Sequence, residues 1–197
     1  MSRLRYLYID RYKVKYNLKA MIETGTHIGD GVLDALAAGY TPIFTCDVEG
    51  GFRKLRSFED NVHQYIGRST ICLPEMLRDA GPDPALIFLD AHCDPYLFDG
   101  SLTNTDGGDP MPLLSELVLL HQFRDLSKDV IIIDDLHIYT DEYRKGSGVR
   151  PEWNLLSPPF STAKEMGKII VAKYIPDHTF RAVHEIHDPN MHFIPKG

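Results

Sequence analysis

The chain has 197 residues, 43% hydrophobic and 25% charged, a composition typical of one globular domain that buries a full core. Its formal net charge of -7 disfavours binding to nucleic-acid backbones or to anionic membranes. The three cysteines have no CxxC spacing and indicate neither a disulfide framework nor a structural zinc site. No apolar run suits a membrane span or the core of a signal peptide, so we expect a cytoplasmic protein.

The N-terminal segment, residues 1–19, is basic: six lysines and arginines stand against one aspartate. It either favours an anionic ligand or forms a solvated basic face, and its pattern does not decide between helix and strand. We predict a basic N-terminal segment over residues 1–19, followed by one domain over residues 20–197.

Short apolar runs then alternate with amphipathic segments, as in a parallel sheet covered by helices on both faces. The pattern predicts strands at 20–22, 42–46, 62–66, 85–89 and 130–133, and helices at 30–39, 51–60, 69–80, 112–123 and 161–174. Strands at 180–186 and 191–194 are separated by a turn so short that it predicts an antiparallel hairpin. We expect a Rossmann-like α/β fold with a mostly parallel seven-stranded sheet, helices on both faces and this C-terminal antiparallel hairpin.

A glycine turn follows the first strand, in the sequence Glu23-Thr24-Gly25-Thr26-His27-Ile28-Gly29-Asp30. A glycine at a strand-to-helix turn lets a ligand approach the backbone, although an ordinary tight turn has the same composition. Asp47 ends the next strand about 20 residues later, where a carboxylate can accept hydrogen bonds from both hydroxyls of a ribose. Together the two features favour a nucleoside ligand.

These residues resemble the class I S-adenosylmethionine (SAM) dependent methyltransferases over about residues 20–194. Ile22 to Asp30 is similar to their first motif, and Ile43 to Asp47 to their acidic ribose-binding strand. Gly67-Arg68-Ser69 stands where these enzymes commonly have Gly-Asp-Ser, and an arginine cannot accept a hydrogen bond from the adenine amino group. The resemblance implies SAM as cofactor, bound by Glu23, Thr24, Gly25, Thr26, Gly29, Asp30, Asp47, Ser69 and Asp90.

Three carboxylates follow the fourth and fifth strands, in Leu89-Asp90-Ala91-His92 and Ile132-Ile133-Asp134-Asp135. Crowded carboxylates repel unless a cation neutralises them, which favours Mg²⁺ or Mn²⁺ held by Asp90, Asp134 and Asp135. Alternatively, Asp90 lies beside the cofactor and the other two cap a loop. The pattern resembles metal-dependent sugar O-methyltransferases, with His92 in place of their second aspartate.

Methyl transfer to an alcohol requires a base or a metal that removes the hydroxyl proton. Asp90 and His92 are the candidate catalytic residues, and His137 is a third candidate base. We expect an O-methyltransferase that uses SAM and a divalent metal on a hydroxyl-bearing small molecule or glycan, such as a sugar. Residues 91–111 and 135–160 are the candidate substrate loops.

Two other functions stay open. Asp90-Ala91-His92-Cys93-Asp94 resembles the signature of the binuclear manganese ureohydrolases, although Asp134-Asp135 has the wrong spacing for their second ligand strand. The chain is also consistent with a nucleoside-binding module that has no catalytic activity.

Overall fold

The structure is a computed structural model that describes Leu4 and residues 9–48, 60–91, 112–134, 168–174 and 180–186. Its helices are α1 (Ile9–Tyr16), α2 (Asp30–Ala37), α3 (Ser69–Ala80) and α4 (Leu113–Phe123). Its strands are β1 (Ala20–Thr24), β2 (Ile43–Asp47), β3 (Val62–Ile66), β4 (Ala85–Leu89), β5 (Val130–Ile133), β6 (Lys168–Tyr174) and β7 (Phe180–Ile186).

The first five strands form a parallel sheet in the order β3-β2-β1-β4-β5. Beyond β5 lie β6, which is parallel to β5, and β7, which is antiparallel to β6. From β1 the chain runs to β2 and β3 on one side and then crosses to β4 on the other. The predicted α/β, Rossmann-like class is therefore confirmed, and its topological switch point lies between β1 and β4.

The two faces of the sheet are covered by different helices. On β4, Ala85, Ile87 and Leu89 point to the core under α3 and α4, whereas Leu86 and Phe88 point to the core under α1 and α2. Both cores are apolar, because residues of β1, β4 and β5 alternate between them with almost no exposed surface. This two-sided burial explains the continuous apolar runs in the sequence.

The N-terminal segment, undecided from the sequence, contains helix α1. Leu4, Ile9 and Leu18 are buried in the same core as α2, and the Tyr40 hydroxyl donates a hydrogen bond of 2.7 Å to the Ile9 carbonyl. The basic residues of α1 therefore sit on a helix whose apolar side packs against the sheet.

At the amino-terminal end of the sheet, Arg124 joins the Asp129 side chain to the loop that precedes β4. Its guanidinium donates to Asp129 at 2.6 Å and to the carbonyls of Gly81 and Asp83. Asp129 also accepts from the Ala85 N–H at 2.8 Å. The Arg124 and Asp129 side chains are 5% and 1% exposed, so this ion pair is buried and hydrogen-bonded on both sides.

The helix predicted at 161–174 is wrong over its last seven residues, which form strand β6. Residues 169–172 are a short apolar run rich in β-branched side chains, which fits a strand between two neighbours better than a helix. The antiparallel partner of β7 is β6. The other predicted hairpin strand, 191–194, and the predicted helix at 51–60 fall outside the described residues, apart from Asp60.

The remaining predicted elements are present within two residues of their expected bounds, and β3, β4 and β5 match them fully. Within the described ranges, none of the helices combines the length and the apolar character needed to cross a membrane.

Candidate functional site

The predicted site lies at the carboxyl ends of β1, β2 and β4, beside the switch point. The Asp90 N–H donates to the Thr24 carbonyl at 3.0 Å, which joins the end of β4 to the end of β1. The N–H groups of Gly25 and Thr26 donate to the Cys46 carbonyl at 2.9 and 3.1 Å, which joins the glycine turn to β2. In open α/β sheets, ligands bind in the crevice at such a point.

Gly25 has a φ of +84°, in the region that favours glycine. A Cβ at this position would meet the carbonyl group of Asp90, with the carbonyl carbon at 2.7 Å, and the Ala91 nitrogen at 2.9 Å. From the sequence we expected this glycine to let a ligand approach the backbone, but the structure gives a different reason for it. Gly25 is required because the end of β4 packs against its backbone.

Asp47 is tied to the glycine turn. The His27 N–H donates a hydrogen bond of 2.7 Å to Asp47 Oδ2, and His27 itself has a φ of +47°. Gly29, with a φ of +87°, then caps α2. The turn and the strand-end carboxylate, inferred separately from the sequence, are thus in direct contact.

Beneath the turn, Glu23 is fully buried. The Thr45 hydroxyl donates to Glu23 Oε2 at 2.7 Å, and the hydroxyls of Thr45 and Thr26 are hydrogen-bonded to each other. Burial raises the pKa of Glu23 to about 8; the hydrogen bond from Thr45 opposes this rise, and the charge of Asp47 adds to it by a smaller amount. Glu23 therefore holds its proton at neutral pH.

This network changes the role of three predicted cofactor contacts. Glu23, Thr24 and Thr26 are each at most 3% exposed, so their side chains support the turn from below. Thr45 was not among the predicted site residues. Its signal in the sequence was a hydroxyl in the middle of an apolar strand; the register that places Thr45 opposite Glu23 is seen only in the structure.

The other residues predicted to contact a nucleoside lie at the same end of the sheet, where the parallel strands have their carboxyl ends. Asp30 is the first residue of α2, and Ser69, buried, is the first residue of α3. The Gly67 N–H donates to the Asp47 carbonyl at 2.8 Å, which brings the start of α3 next to Asp47. Arg68 occupies the N-cap position of α3 without a side-chain capping bond.

Two of the three predicted metal ligands are described. The Asp134 N–H donates to the Leu89 carbonyl at 3.0 Å, so Asp134 and Asp90 follow adjacent strand ends. Asp134 is buried and Asp90 is half-buried. Asp135, His92 and His137 lie outside the described residues. In the part of the chain that is described, no group of three or more His, Cys, Asp or Glu residues is placed to hold a metal ion.

No protein-family model and no curated protein matches the chain. Among solved structures, the chain is similar to the crystal structure of the Bordetella bronchiseptica enzyme WbmH in complex with NAD+. The identity is 20%, the TM-score is 0.40, and the match covers 63% of this chain and 42% of that chain. The match thus spans about two fifths of the WbmH chain.

These findings correct the predicted function and cofactors. The similar enzyme is bound to NAD+ rather than SAM, and no family model or curated protein that would indicate a methyltransferase matches the chain. The physical basis of the SAM motif is also weaker, because Gly25 is explained by packing against Asp90. The predictions of methyl transfer, of SAM and of a divalent metal are therefore wrong, and the Rossmann-like fold stands without them.

Proposed function

We propose that the chain is an enzyme that binds a ribose-containing nucleotide cofactor at the glycine turn. The observation that carries the proposal is the hydrogen bond of 2.7 Å from the His27 N–H to Asp47. This bond holds a half-buried carboxylate beside the turn, at the sheet edge where folds of this class bind ligands. A carboxylate fixed before the ligand arrives loses little freedom on binding.

Ribose recognition follows from the chemistry of Asp47. An ionised carboxylate only accepts hydrogen bonds, and its two oxygens match the two adjacent hydroxyls of a ribose. The same charge repels a phosphate on the 2′ position. We therefore expect preference for an unphosphorylated ribose, as in NAD+, over a 2′-phosphorylated one, as in NADP+.

Phosphate groups contribute less to binding in this proposal. The amino end of a helix attracts anions, and α2 begins directly after the turn. However, the first residue of α2 is Asp30, whose carboxylate opposes a second negative charge at that end. The ribose and base should therefore supply most of the affinity.

For catalysis we propose Asp90 and His92 as the groups that exchange a proton with a hydroxyl of the substrate, a small molecule or a glycan. Asp90 supports this assignment through its place at the switch point, half-buried and joined by its N–H to Thr24. Because open α/β sheets bind ligands at the switch point, a carboxylate at this position suits proton exchange with a bound substrate.

Calorimetry with adenosine, ADP, NAD+ and NADP+ tests the cofactor proposal. Adenosine and NAD+ should bind, and NADP+ should bind at least about tenfold more weakly than NAD+, a difference of about 1.4 kcal/mol. Asp47→Asn should weaken NAD+ binding by about tenfold or more. It should also reduce the difference in affinity between NAD+ and NADP+.

Asp60→Asn is the matched control, because Asp60 is an exposed aspartate that precedes β3 at the amino-terminal end of the strands. It should leave all four affinities unchanged. Unaltered NAD+ affinity in folded Asp47→Asn protein, or no binding of any of the four ligands, would contradict the proposal.

A further inference from the structure

Two buried thiols meet beneath the proposed site. Cys46 is on β2 and Cys72 is in the first turn of α3; they are 0% and 6% exposed and belong to the same core. Their sulfur atoms are hydrogen-bonded to each other. The Cys72 sulfur lies 3.0 Å from the point where a Cβ of Gly67 would be, so this glycine makes room for the sulfur.

The thiol pair is joined to the ligand edge through the backbone. The Cys46 carbonyl accepts both N–H groups that hold the glycine turn, those of Gly25 and Thr26, and Asp47 is the next residue. Gly67, against which the Cys72 sulfur packs, donates its N–H to the Asp47 carbonyl. A bond between the two sulfurs would therefore connect α3 to the strand that carries Asp47.

We propose that Cys46 and Cys72 form a reversible disulfide site that is oxidised by a small peroxide. The Cys72 thiolate attacks one peroxide oxygen; the O–O bond breaks, and the released hydroxide takes a proton to become water. The Cys46 sulfur then attacks the resulting sulfenic acid, its proton leaves with the hydroxyl group as a second water, and the S–S bond forms. In sum, two thiols and one hydrogen peroxide give one disulfide and two waters.

Cys72 attacks first in this scheme for two reasons. The hydrogen bond from the Cys46 thiol lowers the pKa of Cys72, whereas that same bond and burial raise the pKa of Cys46. Cys72 is also the more exposed of the two residues, although at 6% exposure only a small oxidant can approach it.

Peptide mapping of the peroxide-treated protein tests this proposal. Cys93, outside the described residues, is first replaced in a Cys93→Ser variant, so that two thiols remain. Trypsin places Cys46 in the peptide 20–53 and Cys72 in the peptide 69–78. After treatment of the folded protein with hydrogen peroxide and alkylation in denaturant, we expect these two peptides to be cross-linked, with the loss of two hydrogens, and to separate on reduction with dithiothreitol.

In the control with Cys46→Ser added, oxidation should stop at the sulfenic acid of Cys72, which a dimedone probe labels. Both thiols fully alkylated after peroxide treatment of the folded protein, or oxidation that dithiothreitol does not reverse, would overturn the proposal. The readout does not involve a nucleotide. A cross-link in a protein that binds none of the four ligands would count against the proposed function alone.

Discussion

The backbone of Gly25 packs so closely against the carbonyl group of Asp90 that no Cβ fits between them. This contact joins the glycine turn to the end of β4 across the switch point of the sheet. It makes the glycine a structural requirement, whichever ligand the turn binds.

Gly25→Ala should therefore destabilise the protein by more than the cost of holding an alanine at positive φ. Gly39 is the matched control: its φ is +80°, and an added Cβ would meet only the end of the Lys13 side chain at 3.7 Å. We expect Gly39→Ala to lower the free energy of unfolding by about 1 kcal/mol. Gly25→Ala should lower it by about 2 kcal/mol more, because backbone must move.

Urea unfolding followed by circular dichroism measures both values. Equal losses in the two variants would show that the Asp90 backbone yields without cost, contrary to the packing described here.

Removal of Arg124 tests its buried ion pair with Asp129 at the amino-terminal end of the sheet. Arg124→Met leaves Asp129 buried without its cation, so the free energy of unfolding should fall by about 3–5 kcal/mol. Arg78→Met is the control, because the Arg78 side chain is 71% exposed and pairs with Glu75 and Asp79 at the surface. Its loss should cost less than about 1 kcal/mol. A small effect for both arginines in urea unfolding would refute the assigned role of Arg124.

The stability of the protein should depend on the ionisation of Glu23. Its pKa is raised from 4.5 to about 8, so between these values the folded state holds a proton that the unfolded state releases. The contribution of Glu23 is thus most favourable below pH 4.5 and declines as the pH rises to about 8. The slope is at most about 1.4 kcal/mol per pH unit.

Glu23→Gln removes this dependence, because an amide does not ionise in that range. The stability of the variant relative to the natural protein should therefore increase from pH 5 to pH 8, measured by urea unfolding at each pH. Glu75→Gln, at a side chain that is 56% exposed, should show no such trend. A constant difference for Glu23→Gln would mean that Glu23 ionises normally in the fold.

Asp30→Asn should shift ligand preference towards phosphates. Removal of the carboxylate leaves the amino end of α2 free to attract an anion, an effect of about 0.3–1 kcal/mol at low salt. In calorimetry, ADP should gain about two- to fivefold in affinity and adenosine should not change. An equal change for both ligands would show that Asp30 acts on the ribose or base.

The sequence predicted most of the fold because four of the first five strands, β1, β2, β4 and β5, are short and mostly apolar runs that are buried on both faces. The prediction failed at residues 168–174, because apolar content alone does not distinguish a helix from a strand. Pairing with the neighbouring strand β5 is what makes this segment a strand.

The candidate site was predicted in part for a related reason. Gly25 and Asp47 are recognisable by residue type and by their positions at the ends of predicted elements. The Thr45 contact with Glu23 and the meeting of Cys46 with Cys72 depend on strand register and on how α3 packs, which no local pattern encodes.

The ion pair between Arg124 and Asp129 and the carboxylate of Asp47 lie at opposite ends of the same sheet. Strands of five residues separate the two ends by about 13 Å, beyond the range at which substitutions usually influence each other. The stability of this protein can therefore be raised or lowered at one end without altering ligand selectivity at the other. That independence leaves the binding edge free to diversify during evolution, and it gives an engineer two separate sets of positions to vary.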